Sequence, residues 1–114
     1  MRGDILSDRS FTEFSQQEIK AIHGLSQKYN SLKSEDHALA LLSLMEKHVP
    51  EIRELYKNGD PHFLTETGDL AVLCFELMEE AGKSPDSVMA ICYKRYREKL
   101  AELIKNAEQK EGVR

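Results

Sequence analysis

The stretch Glu66-Thr67-Gly68-Asp69-Leu70-Ala71-Val72-Leu73-Cys74-Phe75-Glu76-Leu77-Met78 decides how this chain is read. On a helix advancing about 100° per residue, Leu70, Leu73 and Leu77 form one stripe, and Glu66 and Asp69 fall within about 40° of Leu73. Two carboxylates therefore ride on the face that seeks burial. An isolated buried carboxylate costs more than one helix can offset, so the pair calls for a cation, a proton or a basic partner, unless the first turn projects into water. A divalent metal is the sharpest of these options.

Working outward, Asn58-Gly59-Asp60-Pro61 is the clearest punctuation in the sequence. Gly59 suits a left-handed helix stop, Asp60 a cap, and Pro61 the first position of a helix. This predicts a third helix from about Pro61 to Ala81, with Thr65 as a second possible cap and Gly82 as its end. Upstream, Ser34-Glu35-Asp36 puts a hydroxyl cap before two acids that favour the positive end of a helix dipole. Ala38, Leu41, Leu42, Met45, Val49, Ile52 and Tyr56 then line a second helix running to about Lys57. Pro50 lies inside it, which predicts a kink near residues 46 to 50 or a restart at the proline.

Ser10-Phe11-Thr12-Glu13 has the spacing of a capping box, and Phe11, Phe14, Ile22, Leu25, Tyr29 and Leu32 recur at helical intervals behind it. Gly24 interrupts that first helix weakly, and His23 beside the stripe reads as a surface residue. Downstream, Lys83-Ser84-Pro85-Asp86 repeats the stop and start chemistry, with Ser84 as cap and Pro85 leading a fourth helix. Val88, Ile91, Cys92, Tyr96, Leu100, Leu103 and Ile104 mark one side of it. Residues 1 to 9 read as a loose arm and 109 to 114 as a frayed tail. The expectation is a single all-α domain over residues 1 to 114, made of four main helices, with the second and third folded into an antiparallel hairpin. Four amphipathic helices in so short a chain also predict a bundle completed by dimerisation.

The chain has 114 residues and a net charge of −4, unevenly spread. Residues 1 to 82 carry 8 basic and 15 acidic side chains, and residues 83 to 114 carry 8 and 5. An acidic body argues against nucleic acid as a partner, because that binding is driven by phosphate neutralisation. The apolar runs are too short to span a membrane or to serve as a secretion signal, which predicts a soluble, cytoplasmic protein. Cys74 and Cys92 have apolar flanks and read as reduced thiols rather than as nucleophiles or a bridge. A di-iron bundle needs Glu-x-x-His, and the residues three before His23, His37, His48 and His62 are Lys20, Ser34, Met45 and Gly59. The sequence holds neither a phosphate-cradling glycine loop nor a zinc spacing of cysteine and histidine.

Glu51-Ile52-Arg53-Glu54 supplies another acid pair at a spacing of three, separated from Glu66 by the eleven residues 55 to 65. Folding the two helices back on each other brings Glu54 opposite the region of Glu66, and Glu51 opposite that of Asp69. Four carboxylates on facing helices suit Mg2+, a hard cation that keeps waters and shares its shell with phosphates. On an unbroken helix centred on Met45, however, Glu54 points about 180° away and Glu51 about 120°, while His48 lies about 60° off, so His48 stands as a rival to Glu54.

The pattern Glu51-x-x-Glu54, a spacer, then Glu66-x-x-Asp69-Leu70, with Gly82-Lys83-Ser84-Pro85-Asp86-Ser87 opening a further helix, resembles the all-α nucleoside triphosphate pyrophosphohydrolases of the MazG type. The resemblance covers roughly residues 36 to 100. It implies that Glu51, Glu54, Glu66 and Asp69 hold Mg2+, with Glu51, Glu66 and Asp69 in the catalytic centre. It further implies a nucleoside triphosphate substrate, canonical or non-canonical, cleaved to a monophosphate and pyrophosphate, and a homodimer or homotetramer. Lys94 and Arg95, in Cys92-Tyr93-Lys94-Arg95-Tyr96, would contact the triphosphate, although the asparagine that active relatives present on this helix is missing. A spacer one residue short, and Glu46-Lys47-His48-Val49-Pro50 in place of Glu-Glu-x-x-Glu, keep open a second reading: a non-catalytic helical interaction protein that retains the fold with a degenerate site.

Overall fold

The computed structural model describes residues 11–113, with side chains from 16 to 110, and is helical between short turns. Helix α1 is Phe11–Leu32, α2 His37–Lys57, α3 Phe63–Glu80 and α4 Pro85–Val113. No strand occurs among the described residues. None of the helices is long and apolar enough to cross a membrane. The capping box at Ser10 lies outside the described residues.

Three helix ends share one piece of backbone chemistry. After α2 and α3, Gly59 and Gly82 sit at φ 71 and 79°, and the amides of Asp60 and Lys83 reach back to the carbonyls of Leu55 and Met78 at 2.9 and 3.0 Å. This six-to-one bond satisfies a carbonyl that the helix leaves open and needs a left-handed residue just before the donor. After α1 the same turn forms with Ser34 at φ 57°, and Glu35 donates to Asn30 at 2.9 Å. Ser34 is thus spent on ending α1, and the cap of α2 passes to Asp36, whose Oδ1 accepts the Leu39 amide at 2.9 Å. Asp60 plays a related part before α3 by accepting the His62 amide at 2.9 Å. Pro50 does not divide α2, which runs on as one helix.

By their contacts the described residues form two compact units, one ending at Ser84 and the other beginning at Pro85. In the first, α2 and α3 pack most extensively as an antiparallel hairpin, and α1 lies against both. The inward face of α2 is read from its less exposed positions: Leu41, Met45, His48, Ile52 and Leu55. That of α3 carries Phe63, Glu66, Leu70, Leu73, Leu77 and Glu80. Steps of three and four residues are the spacing of a helix seam. Tyr56 and Phe63, edge to face with centroids 5.3 Å apart, close the hairpin near its turn.

The fully inaccessible centre is small. Among described apolar residues only Ile19, Leu41 and Leu73 are buried. α1 turns Ile19, His23, Ser26 and Asn30 inward and leaves Leu25, Tyr29 and Leu32 exposed. Of the apolar stripe predicted to pack α1, Phe11 and Phe14 lie outside the described side chains, Ile22 is half-buried, and Leu25, Tyr29 and Leu32 are on the surface, because the helix docks by a neighbouring, more polar face. The second unit is α4 alone, with Ile91, Tyr96, Leu100, Leu103 and Ile104 exposed along it.

Candidate metal centre

Polar side chains interrupt the α2–α3 seam near the hairpin turn. His48 takes the place of a leucine between Met45 and Ile52, and Glu66 does so between Phe63 and Leu70. Both are largely sheltered, with side chains 18 and 20% exposed, and His48 Nε2 lies 3.3 Å from Glu66 Oε1. The other carboxylate oxygen, Oε2, is 3.3 Å from Nε2 of the more exposed His62, one turn earlier on the chain. Glu51 completes the group: one donor atom each from His48, Glu51 and Glu66 lies within 4.8 Å of the others. Beside them is a groove of about 310 Å³ lined by Glu51, Glu54, Leu55, His62 and Glu66.

The tautomer of His48 follows from its backbone contact. Nδ1 lies 2.9 Å from the Leu44 carbonyl, which can only accept, so Nδ1 carries the proton. In the neutral ring Nε2 is then a bare lone pair aimed at a carboxylate oxygen. Two acceptors at this separation repel unless a proton or a cation lies between them. Imidazoles that bind metals are commonly held this way, one nitrogen fixed by a backbone carbonyl and the other presented to the ion. One imidazole and two carboxylates form a donor set that can hold a divalent cation, and the imidazole favours transition cations over Mg2+.

The structure brings Glu51 and Glu66 together with His48, and sets Glu54 on the groove beside them. Asp69 is exposed and does not line that groove. In the second unit, Lys94 pairs with Glu98 at 2.9 Å and Arg95 lies over the Tyr96 ring, 5.2 Å from its centroid. His62 was not singled out by sequence reasoning. Its signal was present, since it stands four residues before Glu66 and so shares its face. His23 is likewise not the surface residue expected: its side chain is 15% exposed and 3.0 Å from Glu80.

Cys74 and Cys92 are unbridged, and burial pushes the Cys74 thiol above its ordinary range. This fits a packing role rather than that of a nucleophile. No protein-family model, curated protein or solved structure matches the chain.

Proposed function

We propose that the α2–α3 hairpin is a divalent-metal centre that cleaves nucleoside triphosphates to monophosphate and pyrophosphate. The observation that carries this reading is the Glu66 carboxylate, set between His48 and His62 and facing Glu51, where the neighbouring seam positions Met45, Ile52, Phe63 and Leu70 are apolar. The likeness of Glu66 to Leu70, and of Gly82 to Ser87, to the MazG-type enzymes supports it. A bound cation would supply charge neutralisation for the phosphates and acidify a water. His48, Glu51 and Glu66 would hold it, with Mn2+ serving at least as well as Mg2+ given the imidazole. Glu54, lining the groove outside the cluster, would accept the proton of the attacking water. The acidic lining also draws cations towards the groove, so metal precedes nucleotide.

The exposed stripe of Leu25, Tyr29 and Leu32 supports self-association as a homodimer or homotetramer. The same stripe favours the second reading, a non-catalytic helical interaction module. Pyrophosphate release from a nucleotide panel, assayed with Mg2+ and with Mn2+ after coupling to pyrophosphatase, separates the two. Release by the native chain and its loss in Glu66→Gln is the expected result. A chain that binds metal at this cluster yet releases no pyrophosphate from any nucleotide would leave the interaction module standing. Sedimentation of the native chain against Leu25→Glu/Leu32→Glu tests self-association.

A further inference from the structure

The far end of the same hairpin carries a second polar interruption, and α1 joins it. His23 from α1, His37 at the start of α2 and Glu80 at the end of α3 each offer one donor atom, all within 4.8 Å of one another. Glu80 Oε1 lies 3.0 Å from His23 Nε2, 3.1 Å from Gln27 Nε2 and 3.9 Å from His37 Nε2. The imidazoles meet edge to face with centroids 5.2 Å apart.

His37 is the informative member. Its side chain is 8% exposed, and Nε2, turned towards Glu80, is buried with no hydrogen-bond partner among the described residues. Its other nitrogen, Nδ1, lies 2.8 Å from the side-chain amide of buried Asn30. With the amide nitrogen donating to Nδ1, the ring proton falls on Nε2, which becomes a buried donor with nothing to accept it, a costly arrangement. With the amide oxygen turned to the ring, Nδ1–H donates to Asn30 and the lone pair of Nε2 faces Glu80 and His23. That arrangement is stable when a cation fills the space. Asn30 then orients the ring and Gln27 holds the carboxylate, the two supports that metal ligands ordinarily receive.

We propose that His23, His37 and Glu80 form a metal site of the zinc class that ties the three helices of the first unit together. Two imidazoles and one carboxylate suit a borderline transition cation and leave a fourth position for water. Bonds of about 2.1 Å in tetrahedral geometry set ligand atoms about 3.4 Å apart. The measured 3.0 and 3.9 Å straddle that value. The role is structural: a unit with only three buried apolar side chains among those described gains from a link between the middle of α1, the start of α2 and the end of α3.

The test uses the full chain with His48→Ala/Glu66→Gln, which removes the other cluster. Zn2+ titrated by calorimetry should bind at one equivalent and raise Tm, and Co2+ should give the visible spectrum of a four-coordinate nitrogen and oxygen site. Adding His37→Gln or His23→Gln should weaken Zn2+ binding by about 100-fold, and Asn30→Ala by about 10-fold. Circular dichroism identifies any variant that has lost its helices, and the comparison rests on those that have not. Absence of Zn2+ binding in the double variant would overturn the proposal, as would binding that both histidine substitutions leave intact in a helical chain.

Discussion

Truncation of Leu41 to alanine should be the most damaging apolar change in the chain. Among the described residues Leu41 is the one side chain with no exposure, set in the α2 seam against α3. Leu→Ala at such sites costs about 2.7 to 5 kcal/mol, the spread reflecting how far neighbours relax into the space. The surroundings here include few other buried side chains, so relaxation is easy and the lower part of the range, about 3 kcal/mol, applies. For a domain of this size that lowers Tm by roughly 12 to 24 °C, a large share of a total stability of about 5 kcal/mol. The control is the adjacent Leu42→Ala. Leu42 is 41% exposed, about 100° round the helix from Leu41, and should cost less than about 1 kcal/mol. Urea unfolding followed by circular dichroism, at several protein concentrations, gives both values. Equal costs, or a larger one at Leu42, would refute the assignment of the inward face of α2, and the placement of His48 would fall with it.

Glu76 is 3% exposed and its Oε1 has no hydrogen-bond partner among the described residues; Glu76→Leu should raise stability by about 1 to 3 kcal/mol in calorimetry, and a drop in Tm would reveal a partner for the carboxylate. Ser34 holds a left-handed φ of 57°. Ser34→Gly should therefore stabilise by about 0.5 to 1 kcal/mol, read as a shift of the urea midpoint, and no shift would mean that the serine carries no strain. In a Mn2+ titration of the hairpin site, Glu66→Gln should weaken binding by about 100-fold while the exposed Asp69→Asn changes it little; the reverse order would return Asp69 to the centre. Burial raises the Cys74 thiol, so at mildly alkaline pH iodoacetamide should modify it more slowly than free cysteine. Because the folded value is the higher one, any stability linked to Cys74 is present below the unfolded thiol's range and is lost as pH climbs through the folded value, which a pH series of unfolding midpoints checks.

The helix boundaries were legible because the chain marks them with residues that do one backbone job. Gly59 and Gly82 supply left-handed stops, and Pro85 opens α4, where composition places them. Ser34 was misread for a physical reason. Its hydroxyl suits a cap, but the end of α1 needed a left-handed residue first, and Asp36 was near enough to serve α2. Facing directions were harder. A stripe centred on Met45 takes in Leu41 and Ile52, which do turn inward, but also Leu42, Val49 and Tyr56, which are exposed, and it misses His48 and Leu55. Periodicity fixes that a helix has a face, and only the neighbouring helix fixes which of two adjacent faces is used. The same ambiguity hid the polar side of α1 behind its leucines. The His23, His37 and Glu80 group could not be found from spacing at all, since its members come from three helices and share no local motif.

The two polar knots also bear on alignment. A hairpin whose facing sides were all leucine and methionine could slide by one heptad and pack almost as well. In this one, such a slip would part His48 from Glu66 and His37 from Glu80 at the same time, leaving carboxylates and imidazoles facing aliphatic side chains. The two histidines stand eleven positions apart on α2, about 16 Å of helix. Like two dowels in a joint, they permit one register of the hairpin and penalise its neighbours, whether or not either ever meets an ion.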